Sequence, residues 1–200
     1  MPVNLNYLRL MQISFSHRGK SYRADVSKPI DISIPLRAGA ENPKAFYVTD
    51  PKIEPMKSGN FIGDVLQGGS CNVNEIIFNP HCNGTHTECV GHISKEKHSL
   101  NDCLQEFFFI AQLVTVTPEK INGDEMIGKE ILAAKWDKET SAAAMVIRTN
   151  PNSADKLTKN YSGANPAYIH HEAATWMCEA GIEHLLLDLP SVDKADDGKL

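Results

Sequence analysis

Three short apolar runs constrain the fold of this chain more than any other feature. They cover residues 107–116, 142–147 and 184–189. Apolar runs of this kind, bounded by polar residues, are typical of strands that are buried on both faces of a sheet. Helix-like segments lie between them at 128–136 and 167–180. Strands that alternate with helices predict an α/β fold, which we expect to contain a mixed β-sheet core with flanking helices.

The segment 167–180 has the clearest helix boundaries. Pro166 stands just before it and Gly181 just after it, which are residues that favour a helix start and a helix end. Ala173 and Met177 are four residues apart and predict one apolar face. This helix, followed by the run at 184–189, forms an α–β unit.

Two further strands are predicted nearer the N-terminus. Within residues 21–36, Ile30, Ile32 and Ile34 occupy every second position, which is strand periodicity with one buried face. Residues 74–78 indicate a second, short strand that leads into a polar loop.

The segment 38–69 is predicted to be a long loop with little regular secondary structure, because it is rich in Pro, Gly, Asn and Lys. It contains Phe46, Tyr47 and Phe61, which are candidate substrate-binding residues. Two interpretations stay open at equal weight: the rings fold over a ligand, or they anchor the loop to the core.

Size and charge limit the classes of function. A chain of 200 residues suits one domain, and its net charge of -5 argues against nucleic-acid binding. No apolar stretch approaches the ~20 residues of a membrane span, and residues 1–11 lack the layout of a signal peptide. The odd count of five cysteines fits no disulfide scaffold. A cytoplasmic location is therefore expected.

The chemistry is concentrated in residues 79–92, which hold three histidines, two cysteines and a carboxylate. His86 and Glu88 are two residues apart, so on an extended chain they point to the same side. Cys82 can reach the same point after a turn at Gly84. These side-chain types ligate zinc and related divalent ions. A polar surface loop with incidental histidines is the plainer alternative. A structural zinc site is disfavoured, because no second Cys/His pair with suitable spacing accompanies the segment.

The segment resembles the signature of the cyclase family of metal-dependent hydrolases, which includes kynurenine formamidase (arylformamidase) and isatin hydrolase. The signature H-x-G-T-H-x-D-x-x-x-H appears here as Cys82-x-Gly84-Thr85-His86-x-Glu88-x-x-x-His92. Residues 31–36 resemble the family's early D-[LI]-S-x-P-[LI] strand, and residues 188–193 resemble its D-x-x-S-[VIL]-D motif. The three matches occur in the family's order.

The resemblance implies a role for each matching residue. Cys82, His86 and Glu88 would be metal ligands, and His92 would be the catalytic acid/base. Cys82 and Glu88 replace the family's His and Asp, and His81 is the alternative ligand to Cys82. The implied cofactor is a divalent metal, zinc or manganese, and a cysteine ligand favours zinc.

The implied activity is hydrolysis of an amide C–N bond in a small molecule by metal-activated water. The substrate would be an N-formyl aromatic amine such as N-formylkynurenine, from tryptophan catabolism, or a cyclic amide. The resemblance also implies a homodimer or homotetramer. Two alternatives stay open: a catalytically impaired metal- or small-molecule-binding member of the same fold, and a nucleophilic hydrolase that uses Cys82 or Cys89 with a histidine base.

The family's remaining metal ligands follow the D-x-x-S-[VIL]-D motif, whereas this chain stops at Leu200 with a polar stretch at 194–199. We therefore expect residues 1–200 to form a single cyclase-like domain that lacks its C-terminal part. His170 and His171 are assigned to the start of a helix and not to the metal site.

Overall fold

The computed structural model describes residues 11–195. The expectations about a signal peptide and about the polar ending concern residues 1–11 and 194–199, which lie largely outside this range. The strands are β1 (Gln12–His17), β2 (Lys20–Asp25), β3 (Lys52–Pro55), β4 (Lys57–Ser58), β5 (Phe61–Ile62), β6 (Asn74–Ile77), β7 (Ala111–Val116), β8 (Glu119–Ile121), β9 (Asp124–Ile127), β10 (Ala144–Thr149), β11 (Tyr168–Ile169) and β12 (His184–Leu187). The helices are α1 (Pro80–Asn83), α2 (Leu100–Cys103), α3 (Lys129–Ala133) and α4 (His171–Glu179).

The three apolar runs form one parallel sheet in the order β12–β10–β7. The central strand β10 aligns Ala144 with Ala111 of β7 and with His184 of β12. The prediction of strands at these runs, and of an α/β fold, is therefore confirmed. The run at 107–116 is the least accurate of the three, because its strand begins only at Ala111. Phe107 and Phe108 precede the strand and are 70% and 94% exposed.

A second sheet, β11–β9–β8, combines both strand directions, since β11 is parallel and β8 antiparallel to β9. Helices α3 and α4 pack beside the sheets around one apolar core. The buried residues of this core are Val114, Val116, Ile127, Leu132, Trp136, Ala142, Met145, Ile147, Ile169, Ala173, Trp176 and Met177.

Helix α4 begins four residues later than predicted. Tyr168 and Ile169, which were predicted to lie in its first turn, form β11 instead. Ile169 N donates to Val192 O, and the N–H of His170, just after the strand, donates to Ile127 O. His170 then occupies the N-cap position, as expected for the start of a helix. The predicted end is confirmed, because Gly181 adopts a left-handed backbone with φ of 76°.

The strand predicted from Ile30, Ile32 and Ile34 does not form. Strand β2 ends at Asp25, and Ile30 and Ile32 are 87% and 65% exposed. Pro29 and Pro35 flank the alternation, and neither has an N–H with which to bind a neighbouring strand. Alternation alone was therefore a misleading signal here.

Strands β1 and β2 form a hairpin that contacts Thr140 and Ser141, which follow α3 in the sequence. Arg18 and Gly19 connect them with φ of 46° and 77°, the two positive values that a tight two-residue hairpin turn requires. Tyr22 Oη donates to Thr140 O over 3.0 Å, and a ring nitrogen of His17 lies 3.2 Å from Ser141 O.

The segment 38–69, which its composition predicts to be a loop, contains the strands β3, β4 and β5. Its strand β3 pairs antiparallel with β6, and β4 pairs with β5. Strand β6 confirms the strand predicted at 74–78 and leads directly into the histidine-rich segment. Across residues 11–195, no helix has the length and apolar character that crossing a bilayer demands.

Candidate metal centre

The short helix α1 begins the candidate site. Asn79 Oδ1 accepts from His81 N over 3.1 Å, which caps the helix, and Pro80 occupies its first turn. Asn83 is 1% exposed, and its buried side chain hydrogen-bonds to the backbone of two residues. Its Oδ1 accepts from Asn79 N over 2.9 Å, and its Nδ2 donates to Thr49 O over 3.4 Å.

The chain leaves α1 in an extended form that aims His86 at the site. Thr85 Oγ1 accepts from Ile34 N over 2.9 Å, which ties the motif to the segment that contains Ile34. His86 Nδ1 lies 3.0 Å from Gly84 O. Because a carbonyl oxygen can only accept, Nδ1 is the nitrogen that donates. In the neutral ring, Nε2 then presents its lone pair to the site.

Three imidazoles converge on one carboxylate oxygen, Glu88 Oε2. His81 Nδ1 lies 3.0 Å from it, His86 Nε2 3.6 Å and His92 Nε2 3.8 Å. The His81 and His92 rings stack with centroids 4.3 Å apart. One ligand atom each from His81, Glu88 and His92 lie within 4.8 Å of one another. The Glu88 side chain is 40% exposed, so an ion or a small molecule can reach it from solvent.

Cys82 directly follows His81 in α1 but is not in the group formed by His81, Glu88 and His92. Its carbonyl oxygen accepts from Ala45 N over 3.1 Å. Burial raises the pKa of the Cys82 thiol above its ordinary value of 9.0. The structure thus brings His86 and His92 close to Glu88, and His81 joins them at the same carboxylate oxygen. The group whose ligand atoms all lie within 4.8 Å of one another is His81, Glu88 and His92, and His86 is not in it.

The segment after Glu88 folds back on itself through a close backbone approach. Val90–His92 form a 3-10 turn that begins after Cys89. A Cβ atom at Gly91 would lie 2.3 Å from His98 O, so only glycine fits this approach. The turn places His92 opposite Glu88.

The predicted substrate-binding aromatics occupy two different places. Phe46 and Tyr47 directly follow Ala45, whose N–H donates to Cys82 O of α1. Tyr47 N donates to Ser162 Oγ, and the Tyr47 hydroxyl lies beside Gly163. Phe46 and Tyr47 both have a left-handed backbone, with φ of 56° and 57°, and they are 48% and 81% exposed. Phe61 lies in β5, where it pairs with Ser58 outside the 81–92 segment.

The motif at 188–193 contributes a structural link between two strand ends. The carboxylate of Asp188 accepts from Thr149 N and Oγ1, each over about 3 Å. Lys156 Nζ donates to Asp188 Oδ2 over 2.9 Å and to Thr149 Oγ1 over 2.6 Å. These bonds join the carboxyl ends of β10 and β12.

Sequence reasoning gave His81 second place and missed Asn83. The available signal was Asn79-Pro80, a capping residue followed by proline, which predicts a helical turn. A turn rotates successive side chains by about 100°, so neighbouring residues such as His81 and Cys82 face different directions.

The fold and the site together define an α/β protein with a His/Glu cluster suited to a divalent metal. The Cyclase family model matches residues 30–194, a range that includes all three motifs. The chain belongs to this family, which contains kynurenine formamidase-like proteins. No curated protein matches the chain.

Proposed function

We propose that the protein is a metal-dependent hydrolase that cleaves an amide C–N bond in a small molecule. The observation that carries this proposal is the convergence of three imidazoles on a single oxygen of Glu88. Family membership supports a hydrolase or cyclase type of reaction. The cluster supports a divalent metal.

The proposed metal ligands are His81, His86 and Glu88. His86 has the arrangement usual for a ligating histidine, in which one ring nitrogen is fixed by a backbone carbonyl and the other faces the metal. His81 already lies within hydrogen-bonding distance of Glu88. Imidazole nitrogen and carboxylate oxygen suit zinc, and the carboxylate also suits manganese. The donor set therefore fits the cofactor that the family resemblance implies.

The proposed acid/base is His92. Its Nε2 faces Glu88 at 3.8 Å, and its side chain is 47% exposed, so a proton can enter and leave. A divalent ion held by His81, His86 and Glu88 would lower the pKa of a bound water and polarise an amide carbonyl. His92 accepts the proton of the attacking water and returns a proton to the leaving nitrogen. Imidazole is the side chain that most often carries out both transfers in enzymes.

Phe46 and Tyr47 give the proposal its substrate class. They follow Ala45, whose N–H donates to Cys82 O of α1. Their side chains are exposed, and their backbone is in a region that side chains rarely adopt. Strained residues of this kind cluster at functional sites. Their rings would contact the aromatic part of an N-formyl aromatic amine or of a ring-fused cyclic amide. The alternative with Cys82 as the nucleophile is weaker, because burial raises the pKa of its thiol and so keeps it protonated near neutral pH.

The first experiment measures metal per chain by mass spectrometry, after purification with zinc and manganese supplied. His81→Ala should lose the metal, whereas Cys82→Ser, at the next position of the same helix, should retain it. The opposite pattern would restore Cys82 as the ligand. A wild-type chain without metal would contradict the metal site as a whole.

The second experiment tests the reaction with N-formylkynurenine and with isatin. His92→Ala should retain metal and lose about 10²–10⁴-fold in turnover, the usual contribution of a general acid/base. Metal loss in His92→Ala would make His92 a ligand instead. Metal binding without hydrolysis of either compound would favour the catalytically impaired member of the fold.

A further inference from the structure

An open cavity of about 500 Å³ lies where the β1–β2 hairpin, the segment after α3 and the end of α4 meet. It is lined by Arg18 of the hairpin turn, by Lys138 and Ser141 after α3, and by Glu179 and Gly181 at the end of α4. Its volume is within the range of about 300–1,000 Å³ that is usual for small-molecule sites. The described residues that line it include none from the metal centre, so it is a separate feature of the molecule.

Two residues that line this cavity have a left-handed backbone although neither is glycine. Arg18 has φ of 46° and Ser141 has φ of 57°. A two-residue hairpin turn favours Asn, Asp or Gly at the position of Arg18, so arginine is a poor choice for the turn itself. Strained residues of this kind cluster where a protein binds or reacts. The place of Arg18 therefore favours a role for its guanidinium in binding.

Charged side chains of both signs line the cavity. They are Arg18, Lys138, Glu179 and Glu183. Within residues 11–195, none of these four forms an ion pair, although opposite charges border the same space. Two cations and two carboxylates that do not pair with each other suit a ligand that carries a carboxylate and an ammonium group, because both ends would make charge-assisted hydrogen bonds.

Trp136 and Trp176 supply the apolar part of the lining. Both belong to the core and are 9% exposed, so each presents only part of its ring to the cavity. An indole ring packs well against apolar groups and attracts cations to its face. These are the two tryptophans of the chain, so the tryptophan fluorescence of the protein reports directly on this cavity.

We propose that this cavity binds a zwitterionic small molecule with an apolar body, of the class of amino acids with a large apolar side chain. The carboxylate of the ligand pairs with Arg18 and Lys138, and its ammonium group pairs with Glu179 and Glu183. The apolar side chain of the ligand lies against the two tryptophans. The site goes beyond the hydrolase function proposed above and does not depend on a metal.

Titration with L-phenylalanine tests the site, because this amino acid does not absorb at the wavelengths that excite tryptophan selectively. EDTA is present throughout, so that chelation of a metal by the amino acid does not contribute. We expect a saturable change in tryptophan emission, with a matching binding curve in calorimetry. Phenethylamine lacks the carboxylate and hydrocinnamic acid lacks the ammonium group, so each should bind about 10–100-fold more weakly. The proposal is overturned if neither method shows saturation at millimolar concentrations, or if the three compounds bind equally.

Arg18→Asn separates a binding role from a structural one. Asparagine is favoured at this turn position, so the substitution should raise the melting temperature by about 2–4 °C and weaken L-phenylalanine binding about 10–100-fold. Arg23→Asn, in β2 and outside the cavity, is the matched control and should leave binding unchanged. His81→Ala should also bind L-phenylalanine normally, which distinguishes this site from the metal centre. Unchanged binding in Arg18→Asn, or an equal loss in His81→Ala, would refute the assignment.

Discussion

Replacing Asn83 with alanine tests how much its buried side chain stabilises α1, the helix that carries His81. Asn83 is 1% exposed and bonds to both the Asn79 N–H and the Thr49 carbonyl group. The substitution leaves two polar groups without these partners. An unsatisfied buried group costs about 1–3 kcal/mol, and the bond to Thr49 is long, so we expect a loss of about 2–4 kcal/mol in the free energy of unfolding.

Urea denaturation measures this loss. With a slope of about 2 kcal/mol per molar urea, the midpoint should fall by about 1–2 M. Asn101→Ala, at an exposed position of α2, is the matched control and should change stability by no more than about 0.5 kcal/mol. Because Asn83 positions the helix that carries His81, zinc affinity should also fall about 10–100-fold. The reasoning fails if Asn83→Ala unfolds like the control, or if it loses stability and binds zinc normally.

Three further substitutions have distinct expected outcomes. Leu132→Ala, at a position that is 0% exposed in the core, should cost about 2–5 kcal/mol in calorimetry or denaturant unfolding; a cost below about 1 kcal/mol would contradict its core position. Gly91→Ala should weaken zinc binding in a competition assay, because its Cβ would meet His98 O at 2.3 Å, and unchanged binding would show that the loop has room. The hydrogen bond from Lys194 lowers the pKa of Asp124 below 3.8. Its carboxylate therefore stabilises the folded chain above about pH 3.8 and stops doing so as the pH falls through the lowered pKa. Asp124→Asn should reduce stability at pH 7, and the difference from the wild type should shrink as the pH falls below 3.8. A constant difference across this range in pH-dependent unfolding would contradict that assignment.

The sequence predicted best those elements whose signals are local and strong. The runs at 142–147 and 184–189 are strands because a parallel sheet with helices beside it buries both faces of a strand. Gly181 ends α4 because a left-handed residue there needs no Cβ. In each case the residue type itself satisfies the physical requirement.

Predictions failed where tertiary partners decide the outcome. The alternation of Ile30 and Ile32 requires a neighbouring strand that the described structure does not supply. The apolar run was extended to Phe107 and Phe108 because periodicity does not mark where pairing begins, and nothing in the described residues explains their exposure. The homodimer or homotetramer and the cytoplasmic location stay predictions.

The candidate site was predictable in composition but less so in geometry. The motif located His86, Glu88 and His92, and the structure brings them together. The choice between His81 and Cys82 depends on the rotation of one helical turn, which a register argument along an extended chain does not include.

Because β10 is the central strand of its sheet, its two edges become paired at different times during translation. β10 can pair with β7 as soon as it leaves the ribosome, but its other edge waits for β12. At roughly 5–20 residues per second, the stretch from Thr149 to His184 takes on the order of seconds to make. During that interval one edge of the strand and the apolar surface that α4 will cover are open to other nascent chains. The protein therefore passes through a period of seconds in which protection from misassembly must come from outside its own fold.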